Sequence, residues 1–289
     1  MNFIAKPFGV LMEFIYNTLA FQNYGLAIIV FTLFVKILLL PLSIKQQRSM
    51  EQQQAIAPEL EAIRNKYKND SKKMQEEQMN LYSKYNISPT SGCLPMLIQL
   101  PLILIIYQIV RQPLTYIAGL SSTVIVRLRN LVTATGLKVT DEIGINTYFL
   151  NNIDKIPSDI TEETLVNMKF LKIFDLGVTP DFRFWTYGDQ WKIYLPILFI
   201  PFLAVGSSYL QMWITNRINN GPKKKKDSDN PQPGGFAGIT KLLPLMTLFI
   251  AFMVPAGLGF YWTVSNLLNI LQTILIKKLF NIKKKEGSV

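Results

Sequence analysis

Near the middle of residues 25–48, GLAIIVFTLFVKILLLPLSIKQQR, stands a single ammonium group, Lys36. Roughly 20 helical residues at about 1.5 Å each cross a hydrocarbon core of about 30 Å, so this stretch has the length and apolarity of a membrane span. A lysine at the centre of such a helix costs about 2.5–3.5 kcal/mol on insertion scales and is found facing a wet cavity or a partner. The natural partner is a buried carboxylate, yet none of the chain's apolar runs contains an Asp or Glu. The counter-charge of Lys36 is therefore expected from outside the chain.

Other polar side chains recur at helical spacing in the apolar runs. Thr32 lies one turn before Lys36, and Gln99 sits near mid-depth of a second run. Ser207, Ser208, Gln211 and Thr215 share a face in a third, and Trp262, Asn266, Asn269 and Thr273 stand at i, i+4, i+7 and i+11 in the last. If these faces converge, they form a hydrophilic groove around Lys36, which would hold water, lower the cost of the charge and offer amide partners to a polar peptide. The competing reading is that each amide and hydroxyl only joins helices, as is common in membrane bundles. Lys36 fits that reading least, being too deep to snorkel to the interface.

Several chemistries are excluded. The chain has no histidine, which removes His-based triads, metal sites and proton relays. Its one cysteine, Cys93, has no internal disulfide partner and no histidine to activate it. No paired carboxylates and no G-x-x-x-x-G-K-[ST] phosphate loop occur in the apolar runs or their flanks. No enzyme, cofactor or metal is expected. A small-anion secondary transporter or channel, with Lys36 as the binding charge, stays open as a second function. Against it stand the lack of inverted repeats, the lack of an intramembrane acid and the odd number of spans.

The elements that would position these residues follow in chain order. Residues 1–23 carry Ile4, Phe8, Leu11, Ile15 and Leu19 on one broad face and read as an amphipathic helix lying on the membrane. The start, MNFIAKPFGVLMEFIY, shows no h-region with an A-x-A site, so no removable signal is expected. The first span is 24–44, kinked near Pro41. In 45–91, Ile56, Leu60, Ile63 and Tyr67 make one stripe and Met74, Leu81 and Tyr85 a thinner one, separated by Asn69-Asp70-Ser71. That pattern predicts a helical hairpin, mobile because so little is buried. The second span is 92–112. Residues 113–191 are too polar to cross and include amphipathic pieces at 124–132 and 161–173. The third span is 192–214, and a loop at 215–238, with Lys223 to Lys226 and NPQPGG, reads as disordered. The run 239–277 is too long for one crossing and divides near Val254-Pro255 into a fourth span, 239–255, and a fifth, 256–277; a basic tail, 278–289, closes the chain.

Lysine and arginine bias orients the chain. Segments 45–91 and 215–238, with Lys241 and the residues from Lys277 onward, hold nineteen Lys/Arg against nine acids; 1–23 and 113–191 hold eight against ten. The first set is expected in the cytoplasm, which puts the N-terminus outside and the C-terminus inside a cell membrane. The net charge of +11 fits contact with anionic lipid, and a weaker reading is contact with ribosomal RNA phosphates. The fold class expected is an all-α polytopic membrane protein: a five-helix transmembrane bundle with a cytoplasmic helical hairpin and an outer amphipathic helix.

Four segments together resemble the YidC/Oxa/Alb family of membrane protein insertases in its five-span Gram-positive form. They are SPTSGCLPMLIQLP at 88–101, the first span with LLLPLSIKQQRSM after its basic residue, FYWTVSNLLNILQ at 260–272 and FLKIFDLGVTPD at 170–181. The resemblance implies a positively charged groove open to cytoplasm and lipid and closed to the outside. A client's polar segment enters the groove and its apolar span slides out into the bilayer. It implies Lys36 as the basic residue, with Gln99, Gln211 and Trp262 lining the groove and the 45–91 hairpin receiving clients. Nascent membrane proteins and the lipid bilayer are the implied partners, with the Sec translocon, the signal recognition particle receptor and the ribosome as further ones; DNA is not. The chain departs from the family in three places. Lys36 stands where many bacterial members have Arg, keeping the charge but losing the planar fork. Ser88 replaces the commoner Asn, and the outer segment is longer, its 115–168 part being a lid, a partner site or an insertion.

Overall fold

A computed structural model describes residues 2–88, 94–137, 141–183, 185–186, 188, 191–220 and 237–286. It is mostly helical. The chain divides into two units: residues 1–35, 101–207 and 246–266 make the first, and 36–100, 208–245 and 267–289 the second.

The chain opens with α1 (Asn2–Phe14), continued by a π-helical turn, Ile15–Leu19. The amphipathic face expected here shifts inside that turn. Ala20 N–H donates to Ile15 across five residues, at 2.8 Å, which widens the turn; Ala20 becomes buried and Leu19 exposed. Phe21 and Gln22 then take positive φ, and Asn23 Oδ1 accepts from Leu26 N–H to start α2 (Tyr24–Leu38). One face of α2 buries Tyr24, Ala27, Ile28, Phe31 and Val35, while Leu33, Phe34, Ile37 and Leu38 are exposed.

The first span was expected to run to 44 with a kink near Pro41. The helix instead breaks at Leu39, and α3 (Leu40–Ala55) leaves at 64° to α2. Pro41 occupies the first turn of α3, where its missing N–H removes a bond that would have continued α2. In the second unit follow α4 (Ala57–Lys66) and α5 (Ser71–Lys84), the latter capped by Asp70, whose side chain accepts from Lys73 N–H at 3.0 Å. The two pack through Ile56, Leu60, Leu81, Tyr82 and Ile87, with Ile63 at the margin. Tyr85, counted on the sequence stripe, is exposed and donates to Glu59 Oε1 at 2.6 Å.

Next comes α6 (Leu94–Arg111), with Pro101 inside it. Residues 89–93 of the 88–101 signature, Cys93 among them, lie outside the described residues. The 113–191 segment, whose 115–168 part the sequence leaves open between a lid, a partner site and an insertion, folds around a core of its own. It comprises α7 (Pro113–Tyr116), α8 (Ser122–Ala134) and α9 (Glu142–Asn151), and its core is Leu114, Ile125, Leu128, Val132, Ile145, Phe149, Ile160 and Leu165. Its second expected amphipathic piece, 161–173, holds a short 3-10 turn, a two-residue strand and the turn that follows it. Here the all-α expectation needs correction: β1 (Lys169–Phe170) pairs antiparallel with β2 (Phe174–Asp175), Phe170 opposite Phe174.

The remaining helices are α10 (Trp191–Ile197), α11 (Phe199–Asn220), α12 (Ala237–Ala251) and α13 (Ala256–Glu286). Helix thus covers both ends of the expected 215–238 loop, whereas Lys223 to Lys226 lie outside the described residues. The division at Val254-Pro255 falls between α12 and α13. Among the described residues, Trp191–Ile218 is long and apolar enough to cross a bilayer, α2 and α3 pass only as one bent pair, and Leu100–Arg111 is apolar but shorter. Exposed apolar residues nonetheless line most of the long helices: Phe199, Phe202 and Leu203 on α11, Phe249 on α12, Leu271 and Leu275 on α13. Large apolar side chains exposed in this number suit lipid rather than water.

Within the first unit the 165–180 stretch is tied to the helices. Ala256 and Gly257 N–H, at the start of α13, donate to Val178 and Leu176 carbonyls at 2.9 and 2.7 Å, satisfying two of the orphan donors at that helix end. Asn167 N–H donates to Tyr16 Oη at 3.1 Å. Gly25 admits the Phe170 ring so closely that a Cβ there would lie 2.2 Å from Phe170 Cδ2. This is the physical basis for the order seen in the FLKIFDLGVTPD segment.

Candidate functional site

Lys36 lies on the last turn of α2 with its side chain half-buried. Its Nζ donates to Asn269 Oδ1 on α13 at 2.7 Å, both residues belonging to the second unit. No carboxylate among the described residues pairs with it. An ammonium has three donors and no acceptor, so one neutral amide oxygen leaves two donors and the whole charge uncompensated. Asn269 is the partner of the amine among the described residues, and no acid there matches it. Asn269 is held in turn by its helix, where its carbonyl accepts from Thr273 Oγ1 at 2.8 Å.

The other site residues expected from sequence fall into two groups. In the second unit, Ser208 and Gln211 are half-buried on α11, and Gln99 lies on α6, its side chain outside the description. In the first unit, Thr32 is buried and its hydroxyl donates to Ile28 O at 2.6 Å, within its own helix. Asn266 Nδ2 donates to Ser207 Oγ at 3.0 Å and reaches Ala204 O at 3.4 Å, joining α13 to α11. Trp262 is buried. The structure therefore brings Lys36 to Asn269 and Asn266 to Ser207. Among the described residues Gln211 and Trp262 make no polar contact with Lys36.

Sequence reasoning passed over Gln272. It stands one turn beyond Asn269 on α13, and its Nε2 is buried without a hydrogen-bond partner among the described residues. The i+3 spacing from Asn269 was the available signal. Lys277, a further turn along, donates to the Ile218 carbonyl near the end of α11. A charge with spare donors, an amide oxygen and an unpaired amide donor can hold a polar or acidic chain by hydrogen bonds.

A family model described as 60Kd inner membrane protein matches residues 14–285. The chain belongs to this family, the YidC/Oxa/Alb family. A relative from Clostridium tetani (strain Massachusetts / E88) is named Membrane protein insertase YidC; it is 30% identical over 280 residues, which are 96% of this chain and 93% of that one. Proteins of the same name from Wolinella succinogenes and Amoebophilus asiaticus are each 29% identical, over 100% and 91% of this chain. This chain spans only 39% and 34% of the length of those two relatives.

Proposed function

We propose that the chain is a membrane protein insertase: it receives the polar segment of a nascent membrane protein beside Lys36 and releases the following apolar span into lipid. The observation that carries this reading is the Lys36–Asn269 contact, a charge at mid-span held by a neutral amide with donors to spare. An acidic or polar client segment supplies what the chain lacks. Partitioning of the client's apolar span into lipid supplies the free energy, at roughly 25 cal/mol per Å² of apolar surface removed from water, so no nucleotide is required.

The groove in this reading comprises Lys36, Gln99, Ser208, Gln211 and Asn269, with Gln272 added. Asn266 joins α13 to α11, the Thr32 hydroxyl is engaged within its own helix, and Trp262 is buried, so in this reading the three support the groove from the first unit. The spans are α2 with the start of α3, α6, α10 with α11, α12, and α13. The α4–α5 pair is the cytoplasmic hairpin, α1 lies on the outer surface, and the basic segments keep the C-terminus inside. The relatives' shared name supports insertion over small-anion transport. Nascent membrane proteins and lipid are the partners in this reading; the Sec translocon, the signal recognition particle receptor and the ribosome are expected at the cytoplasmic basic segments.

The test is Lys36→Arg, Lys36→Ala and Lys36→Glu in a cell depleted of its own insertase, read by insertion of a small reporter with an acidic outer tail. Arg is expected to sustain insertion and Glu to abolish it, with Ala between. Equal insertion by all three would remove Lys36 from the mechanism.

A further inference from the structure

Three lysines at the head of the longest apolar helix take no part in the groove. Lys192 and Ile193 stand in the first turn of Trp191–Ile218, whose leading Trp191 is exposed, as is Trp185 before it. Exposed tryptophans at the head of a span mark the membrane–water interface. β2 packs against α10, and Lys169, Lys172, Ile173, Asp175, Lys192 and Ile193 together line a cavity of about 320 Å³. Among the described residues no hydrogen bond or ion pair occupies the three ammonium groups. The acid in this lining, Asp175, interacts with Lys169 alone of the three: burial raises its carboxyl, while the Gly177 N–H bond to its Oδ1 at 3.1 Å and the Lys169 charge pull it back, and one carboxylate cannot balance three ammonium groups.

The turn that carries these lysines is strained. Ile173 N–H donates to Phe170 O at 3.2 Å across Leu171 and Lys172, whose φ values are 51° and 61°. Left-handed backbone at two consecutive non-glycine residues is costly and is kept only where the surroundings enforce it. The turn displays Leu171 and Ile173, 64% and 58% exposed, on either side of Lys172. Apolar tips flanking a basic residue are the pattern of a segment that enters the headgroup boundary.

We propose that this turn is an anionic phospholipid site, in which a headgroup phosphate sits among Lys169, Lys172 and Lys192 while Leu171 and Ile173 enter the acyl region beside α10. The site rests on Trp191–Ile218 being a span, and is independent of whether the chain inserts clients. The flanking apolar side chains select lipid over a free phosphate, which would leave them in water.

The full chain is reconstituted into nanodiscs of equal phosphatidylglycerol and phosphatidylcholine, extracted in mild detergent and weighed intact by native mass spectrometry. Phosphatidylglycerol is expected to be retained in preference to phosphatidylcholine. Lys172→Gln should lower its occupancy about fivefold, and adding Lys192→Gln about fivefold again, from the worth of one basic residue at an anionic surface. Lys155→Gln, equal in charge and elsewhere on the outer segment, should leave retention unchanged. Equal losses in all variants, or none, would overturn the site, as would displacement of the lipid by soluble glycerophosphoglycerol. A bimane at position 193 should be quenched by lipid-borne quenchers; an unquenched label would overturn the placement at the interface. Insertion by the Lys36 variants is read separately, so each idea can fail without the other.

Discussion

The 113–191 segment and the α4–α5 pair are both polar and lie on either side of α6 in the sequence, yet they are held by different means. The 113–191 segment, termed the outer segment after its expected place, buries eight core residues and uses buried polar side chains to satisfy loop backbone. Asn146 both donates to Val166 O at 2.8 Å and accepts from Val166 N–H at 2.9 Å, as a strand partner would. Glu142 accepts from Thr115 N–H and from its hydroxyl, at 2.9 and 2.6 Å. The α4–α5 pair has five core residues, and its side-chain bonds include Tyr85 to Glu59 and Lys73 N–H to Asp70, both between exposed groups. Apolar content alone does not separate the two; the difference lies in whether buried polar groups fix the connecting backbone. The first region is expected to hold its conformation and the second to open at lower cost.

The contrast can be broken in order of expected effect. Deleting residues 53–86 should abolish client insertion while the protein still reaches the membrane; normal insertion would remove the pair's role. Leu128→Ala should destabilise the outer segment by about 3 kcal/mol, because a fully buried leucine leaves a cavity there. Asn146→Leu should cost about 2 kcal/mol by leaving both Val166 groups unpaired. Both are read by hydrogen exchange at 142–166, where uniform protection in the variants would contradict the account. Leu60→Ala should speed exchange across 57–84 with little change in the thermal melt. In the wild type, amides at 57–84 should exchange faster than those at 122–151.

The smallest effect is on pH. Burial raises the Glu142 carboxyl above its usual range despite the Thr115 bonds. A carboxyl raised on folding binds more protons folded than unfolded, so it favours the fold below its ordinary pKa, and that advantage is lost as pH rises through the folded value. The outer segment should therefore resist melting slightly more just above pH 4 than at pH 7, and Glu142→Gln should flatten that slope.

The sequence made the charge and its partner legible. Lys36 stands out because a lysine is costly at mid-span, and Asn269 follows from its 3.6-residue series. The contact between them is long-range and was visible only in the fold. The internal bond of Thr32 is a local option open to any helical threonine, and it reduces that residue's claim to the groove. The π turn at 15–19 and the break at Leu39 moved boundaries that periodicity places only within a turn. The core of the 113–191 segment was only half legible: the amphipathic pieces at 124–132 and 161–173 hold Leu128 and Leu165, but their packing against Ile145 joins separate short elements and is long-range. The β1–β2 turn carries Leu171 and Lys172 where glycine or asparagine would have announced it.

The central claim is that a client's polar segment passes beside Lys36. A photocrosslinker at position 269, with a stalled nascent membrane protein carrying an acidic N-terminal tail, tests it most directly. The account predicts an adduct to the client tail from position 269, and adducts only to lipid from position 37, whose side chain is exposed on α2. Client adducts from position 37 with none from position 269 would contradict it.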